Sequence, residues 1–353
     1  MKLLVVHTWL RGNLGDVLQG SVLLRALREL RPSALDLAGY PSVPSAGARE
    51  LLELADRHLP EPFLWTWRFL PAAVRARTVE PGWRQRRTKL FARYDAIVSA
   101  PGPFLASYDA RASGALADLD LAAELGIPFL LASHSVGPLS AAALRSVARA
   151  SLCVAREDRT FEYLVSQGQR PIRSADLAFL YPYDEALARG SVQARFEGPY
   201  RLLFLRARNL RRWAVARTST QLRCGARHFS VEPQEQLVVA TSDAQRDARF
   251  VAALARQLGA RSVICRSVPD LVALIAGSSG VISDRYHPAI CAAVLGKPTD
   301  ILPNHEPHKM QGLEGLLRGS SVEDLRELSR AGLNAVGSTL RRSVRTIPDS
   351  GLA

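Results

Sequence analysis

An anion holder and a proton carrier stand two residues apart in the run Ser283-Asp284-Arg285-Tyr286-His287-Pro288. The residues before it, Gly280 to Ser283, read as a short buried strand. Those after it, Ala289 to Leu295, read as an apolar helix closed by Gly296, with Lys297-Pro298 following. Arg285 and His287 therefore fall where a strand hands over to a helix, the place where an open α/β sheet presents groups to a ligand. A guanidinium grips phosphate or carboxylate through its planar fork of donors. An imidazole moves a proton near neutral pH. Together they point to chemistry on an acidic substrate.

Other candidates fall at similar junctions. Gly12-Asn13-Leu14-Gly15-Asp16 follows the first strand and opens the first helix. Gly15 permits close backbone approach, and the free N–H groups of the helix start favour an anion. Asp16 has a structural role open to it as the helix cap. Asn13 is read as a binder of a hydroxyl or carboxylate. The spacing is not GxGxxG, so the dinucleotide fingerprint is absent. Ser99 to Leu105 is another strand end, as is Ser133-His134-Ser135-Val136-Gly137-Pro138, where His134 reads as a packed loop residue. In Arg156-Glu157-Asp158 the arginine either points into the cleft or pairs with the acids beside it. The stretch from Arg201 to Arg227 contains no acid, and Arg206 and Arg208 in it directly follow a strand. His305-Glu306-Pro307-His308 lacks HExxH spacing, and its proline disrupts the helical face that zinc ligation would use, so no metal is expected. Lys309 beside it opens a helix and reads as a phosphate or acceptor contact.

These groups need a frame, and strands alternate with helices along the chain, which predicts parallel sheets with crossover helices. Leu3–His7, Asp95–Ser99, Phe129–Ser133 and Cys153–Ala155 read as strands of one series. Leu202–Leu205, Gln236–Ala240, Val263–Cys265 and Thr299–Leu302 read as strands of a second. The expectation is an α/β protein of two Rossmann-like domains facing a cleft, 1–190 and 191–317, followed by a tail at 318–353 of two short helices. With 353 residues, 47% hydrophobic and 22% charged, the chain has the composition of a globular protein. No run reaches the roughly 18 apolar residues of a membrane span, and the start reads as a strand, not a signal peptide. The four cysteines lack CxxC spacing and read as reduced thiols, which predicts a cytoplasmic protein. The net charge of +13 attracts polyanions. It is spread along the chain without a nucleic-acid-binding motif, so no nucleic-acid partner is expected. Phe63 to Arg93 interleaves Trp65, Trp67, Phe69 and Trp83 with arginines. It reads as a helical insertion with solvated arginines, and as a candidate for peripheral membrane contact.

In order, these motifs resemble the polysaccharide pyruvyl transferase family. The resemblance rests on Gly12–Asp16, Ser99–Leu105, Ser135–Leu139, Arg156–Asp158, Ser283–Pro298 and Lys309, and spans roughly residues 3 to 317. It implies a fold similar to two-domain type B glycosyltransferases. It implies transfer of a pyruvyl group from phosphoenolpyruvate to two hydroxyls of a sugar, free or lipid-linked, with phosphoenolpyruvate as donor substrate and no cofactor. On the matching positions, Arg285, His287 and Arg156 would face phosphoenolpyruvate, His287 as proton donor. Asn13, Gly15 and Asp16 would line the acceptor wall, Asp16 as base. Ser135, Arg206, Arg208 and Lys309 complete the expected substrate contacts. The chain departs from the family pattern in Ala100-Pro101-Gly102-Pro103, stiffer than a glycine run, and in Tyr286 and Pro288 around the histidine. The competing reading is a glycosyltransferase using a nucleotide sugar, for which no convincing ribose-binding acid is visible.

Overall fold

The computed structural model describes residues 1–40, 44–60, 80–105, 110–190, 196–207, 215–304 and 307–345. Two parallel sheets dominate it. The first is built from β1 (Lys2–Trp9), β2 (Ala34–Tyr40), β3 (Arg57–Pro60), β4 (Ala96–Ser99), β5 (Gly102–Leu105), β6 (Phe129–Val136), β7 (Leu152–Ala155) and β8 (Ile172–Arg173). The second contains β9 (Tyr200–Phe204), and a small antiparallel sheet of β10 (Val215–Arg217), β11 (Gln221–Cys224) and β12 (Arg227–Ser230) follows in the chain. The second sheet is completed by β13 (Gln236–Thr241), β14 (Arg261–Ile264), β15 (Gly280–Ser283) and β16 (Thr299–Ile301).

The first sheet runs β3-β2-β1-β4-β6-β7-β8, with β5 pairing β6, and the second β14-β13-β9-β15-β16. Each order reverses once, between β1 and β4 and between β9 and β15. The carboxyl ends of those strands form the crevice in which such sheets bind ligands. The strands are legible as apolar runs because helices cover both faces: β4, β6 and β15 are buried at every position. Beneath the crevice the two apolar cores merge, with Leu14 and Val17 of the first domain in one cluster with Tyr286 and Ile290 of the second.

Three sequence expectations change. β2, β3, β5 and β8 lengthen the first sheet beyond the strands predicted. The acid-free stretch 201–227 divides: Arg206 follows β9, residues 208–214 lie outside the described residues, and the rest turns back on itself. Most of its described part is the antiparallel sheet, in which Leu222 and Cys224 are buried while Arg223 faces out. The tail carries a 24-residue helix, Val322–Arg345, not two short ones. That helix returns to the first domain, where Ser329 Oγ donates to the Asp176 carbonyl at 3.0 Å and Arg326 Nε to the Phe179 carbonyl at 3.3 Å. Of the 63–93 insertion, the helix Glu80–Phe91 is described; Phe63, Trp65, Trp67 and Phe69 lie outside the described residues, as do Arg208, His305 and Glu306.

Candidate active site

The wall contributed by the first domain begins at Gly12, whose φ of +84° places it in the left-handed region that a side chain disfavours. The turn delivers Asn13 as the N-cap of the helix Leu14–Glu29, its Oδ1 accepting from the Gly15 N–H at 3.3 Å. The cap is thus Asn13, not Asp16, because only a residue just before the first turn can reach those free N–H groups. Asn13 also donates through Nδ2 to Asp16 Oδ2 at 2.8 Å, which fixes Asp16 in the first turn and leaves it half-buried. The same loop clamps the two domains together. Leu14 N–H donates to the Ser242 carbonyl at 2.9 Å, and Asn13 bridges Asp243, the cap of the second-domain helix Ala244–Gln257.

The facing wall comes from the reversal point of the second sheet. The Asp284 carboxylate accepts from the Arg206 backbone N–H, so the ends of β9 and β15 are tied and Arg206 is carried beside Arg285. Arg285 is not open to the cleft. It is 3% exposed and its guanidinium is paired with Asp247. Burial, and the positive charge of Arg206, push its pKa down to about 9. Its Nε is buried with no hydrogen-bond partner among the described residues.

His287 is 6% exposed and reaches across to the first domain. Its ring packs on Gly15: a Cβ there would lie 1.9 Å from His287 Nδ1. On the other side, Nε2 stands 3.7 Å from Asp176 Oδ2. Asp176 also accepts from Arg156 Nη1 at 3.0 Å. Arg156 is fully buried and does not line the cleft as an open cation. It donates to Ser135 Oγ at 2.6 Å and to Gln19 Oε1 at 3.2 Å, and it stacks 5.0 Å from the Tyr286 ring centroid. Ser135, itself buried, passes the link to Glu157 at 3.0 Å. Burial opposes the Arg156 charge, but Asp176, Glu157, Tyr286 and Asp16 overcome it and hold its pKa above the ordinary value. Its Nη2 has no hydrogen-bond partner among the described residues. Lys309, opening the helix Pro307–Gly319, also approaches the Tyr286 ring, its Nζ 4.8 Å from the ring centroid.

The structure thus brings together Asn13, Gly15, Asp16, Ser135, Arg156, Arg285, His287 and, around Tyr286, Lys309, with Arg206 at the edge. Asp16 acts electrostatically on both Arg156 and Arg285. Two carboxylates that hold these cations were missed from the sequence. Asp176 in Ser174-Ala175-Asp176-Leu177 is an acid embedded among small and apolar residues after a strand, and that was its available signal. Asp247 lies four residues after the cap Asp243 and reads as an ordinary first-turn acid. A second polar cluster was also missed. His7 Nδ1 is 2.8 Å from Ser99 Oγ and its Nε2 3.0 Å from Asp118, which Arg87 of the helix Glu80–Phe91 also grips. His134 is fully buried in β6, as a packed residue, and burial pushes its pKa down to about 3. Among the described residues no group of three His, Cys, Asp or Glu side chains is placed to hold a metal.

The fold is shared with solved structures. The UDP-GlcNAc 2-epimerase of Neisseria meningitidis bound to UDP-GlcNAc is 12% identical over 98% of this chain and 100% of that one, with a TM-score of 0.55. The enzyme of the same name from Methanocaldococcus jannaschii is 12% identical over 95% and 98%, with a TM-score of 0.57. That from Rickettsia bellii is 11% identical over 98% and 99%, with a TM-score of 0.55. At these identities the likeness establishes the two-domain, glycosyltransferase-like architecture and carries nothing about substrate. No curated protein matches the chain. The model of one family, polysaccharide pyruvyl transferase, matches residues 13–306, from the Asn13 cap through Arg156, Arg285 and His287. That span covers most of the chain and all but one of the side chains gathered at the crevice, Lys309 lying just beyond it, and the chain belongs to the polysaccharide pyruvyl transferase family.

Proposed function

We propose that the protein moves the pyruvyl group of phosphoenolpyruvate onto two hydroxyls of a sugar in a glycan or glycolipid precursor, forming a cyclic ketal. The observation that carries the reading is the position of His287, wedged between Gly15 and the Asp176 carboxylate that also holds Arg156. A proton carrier thus sits among guanidiniums whose donors Arg285 Nε and Arg156 Nη2 have no acceptor among the described residues. Buried donors without partners call for acceptors, and a substrate with a phosphate and a carboxylate supplies them.

The chemistry uses these groups in order. His287 gives its proton to the methylene carbon of phosphoenolpyruvate, whose π electrons form the new C–H bond. The adjacent carbon becomes oxocarbenium-like and is attacked by a sugar hydroxyl, whose proton passes to Asp16. The bond from that carbon to the phosphate ester oxygen then breaks and phosphate leaves with its electron pair. The carbon left oxocarbenium-like by that departure is attacked by a second hydroxyl, which gives its proton to the leaving phosphate and closes the ring. Arg285 with Arg206, and Arg156 with Lys309, hold the two anionic ends through charge-assisted bonds. No step calls for a metal or a cofactor. Phosphoenolpyruvate is a cytoplasmic metabolite, so the reading places the reaction in the cytoplasm. Among the described residues no helix is long and apolar enough to cross a membrane. A lipid-linked acceptor would be met at the membrane surface, where the exposed Arg86 and Lys89 of the helix Glu80–Phe91 suit an anionic headgroup layer.

The test is phosphate release from phosphoenolpyruvate in the presence of candidate free and lipid-linked sugars. Release is expected from wild type and not from His287→Ala or Arg285→Ala. Equal release from the variants would remove the site assignment. A thermal shift with a nucleotide sugar and none with phosphoenolpyruvate would favour glycosyl transfer instead.

A further inference from the structure

We infer that Asp176 is the positioning residue of this site, holding His287 by Nε2 so that Nδ1 is the atom that delivers the proton. The inference rests on the pyruvyl-transfer reading for the destination of that proton, but its geometry stands apart from it.

Asp176 is fully buried and fixed at three points. Its Oδ1 accepts from the Ala178 N–H at 2.9 Å, its Oδ2 accepts from Arg156 Nη1 at 3.0 Å, and its carbonyl accepts from Ser329 of the long C-terminal helix at 3.0 Å. A carboxylate so anchored cannot follow the imidazole, so the imidazole must align to it. His287 Nε2, buried and without a hydrogen bond, is the nitrogen that faces it, at 3.7 Å. The ring cannot slide away, because its opposite edge rests on Gly15 and the Tyr286 ring stands edge-on to it, centroids 5.5 Å apart.

The consequence is a choice of tautomer. A neutral imidazole beside a carboxylate carries its one proton on the nitrogen facing it, as imidazoles held by a second group generally do. The proton gained in the cationic form then resides on Nδ1, towards Gly15 and the acceptor wall. On transfer, the Nδ1–H bond breaks, its electron pair stays on the nitrogen, and the ring returns to the Nε2–H form that Asp176 favours. The charged and titratable groups that interact with Asp176 besides His287 are Arg156, Tyr183, Tyr286 and Cys291. His287 and then Arg156 favour the ionised form of Asp176 against the cost of its burial. Asp176 therefore acts through His287 and touches no substrate.

Long-range proton–nitrogen NMR on histidine-labelled protein reads the tautomer directly, with His287→Gln assigning the signal. The expected result in wild type is the Nε2–H form, and the Nδ1–H form would overturn the inference with no variant needed. Asp176→Asn and Asp176→Ala are expected to lower kcat about tenfold to a hundredfold, and to mix the His287 tautomers. Unchanged kcat and an unchanged tautomer in a folded Asp176→Ala would equally overturn it. An Nε2–H form in a protein that never releases phosphate would sink the pyruvyl-transfer reading and leave the Asp176 contact standing.

Discussion

His287 of the second domain rests directly on the Cα of Gly15 of the first, in the space that any side chain at position 15 would occupy. At this point the two halves of the crevice are in direct contact. Gly15→Ala would place a methyl group 1.9 Å from Nδ1 and force the ring from its place. A displacement on the order of 1 Å at a reacting group costs about a hundredfold in rate. The expected outcome is a folded protein with phosphate release down by about that factor. Wild-type turnover in Gly15→Ala would show that His287 does not work from this position.

Asp247 stands in for an anion on Arg285. Removing its charge takes from a buried guanidinium the carboxylate it is paired with, a loss of about 3 kcal/mol or more. Asp247→Asn is expected to melt lower than wild type and to recover more of its stability on adding phosphate or phosphoenolpyruvate. Equal ligand-induced shifts in the two proteins would mean that the anion does not bind where Asp247 now pairs.

Arg156 and Lys309 both approach the Tyr286 ring, and its hydroxyl is buried with no hydrogen-bond partner among the described residues. An unsatisfied buried hydroxyl costs about 1–3 kcal/mol, while the ring supplies the stacking surface for both cations. Tyr286→Phe keeps the ring and is expected to be as stable as wild type or more so by urea unfolding. A loss of about 2 kcal/mol would reveal a partner for the hydroxyl.

Stability should fall on mild acidification. His134 has a folded pKa of about 3 against an ordinary value of 6.5, because burial penalises its charged form. Between those values the unfolded chain binds a proton that the folded protein does not, so stability declines as pH falls, by up to about 1.4 kcal/mol per unit. Asp176 adds to the loss further down. Burial would raise its pKa, but His287 and Arg156 hold it well below the usual carboxylate range, and the stability it contributes disappears only as pH falls below its unfolded value. Urea unfolding from pH 7 to pH 4, compared with His134→Asn, checks the first effect. Parallel profiles would exclude His134 as its source.

The sequence by itself determined the two parallel sheets and set the candidate residues at the ends of their strands. Buried parallel strands such as Gly280–Ser283 are written as continuous apolar runs, and the residues after them, Asn13, Arg156 and Arg285, fall at the sheet edges whatever the rest of the chain does. Local signals failed where alternation was masked. In Gln221–Cys224 the arginine that faces solvent hid the buried Leu222 and Cys224 beside it. Only the tertiary structure decided how the cations are held. Arg156 meets Asp176 and Arg285 meets Asp247 because separate strand ends converge on one crevice, and ion pairing between distant segments leaves no mark in either segment alone. The same convergence made Asn13 a cap, Gly15 a seat for His287, and a C-terminal helix the anchor of Asp176. These are properties of burial and proximity, which local composition does not encode.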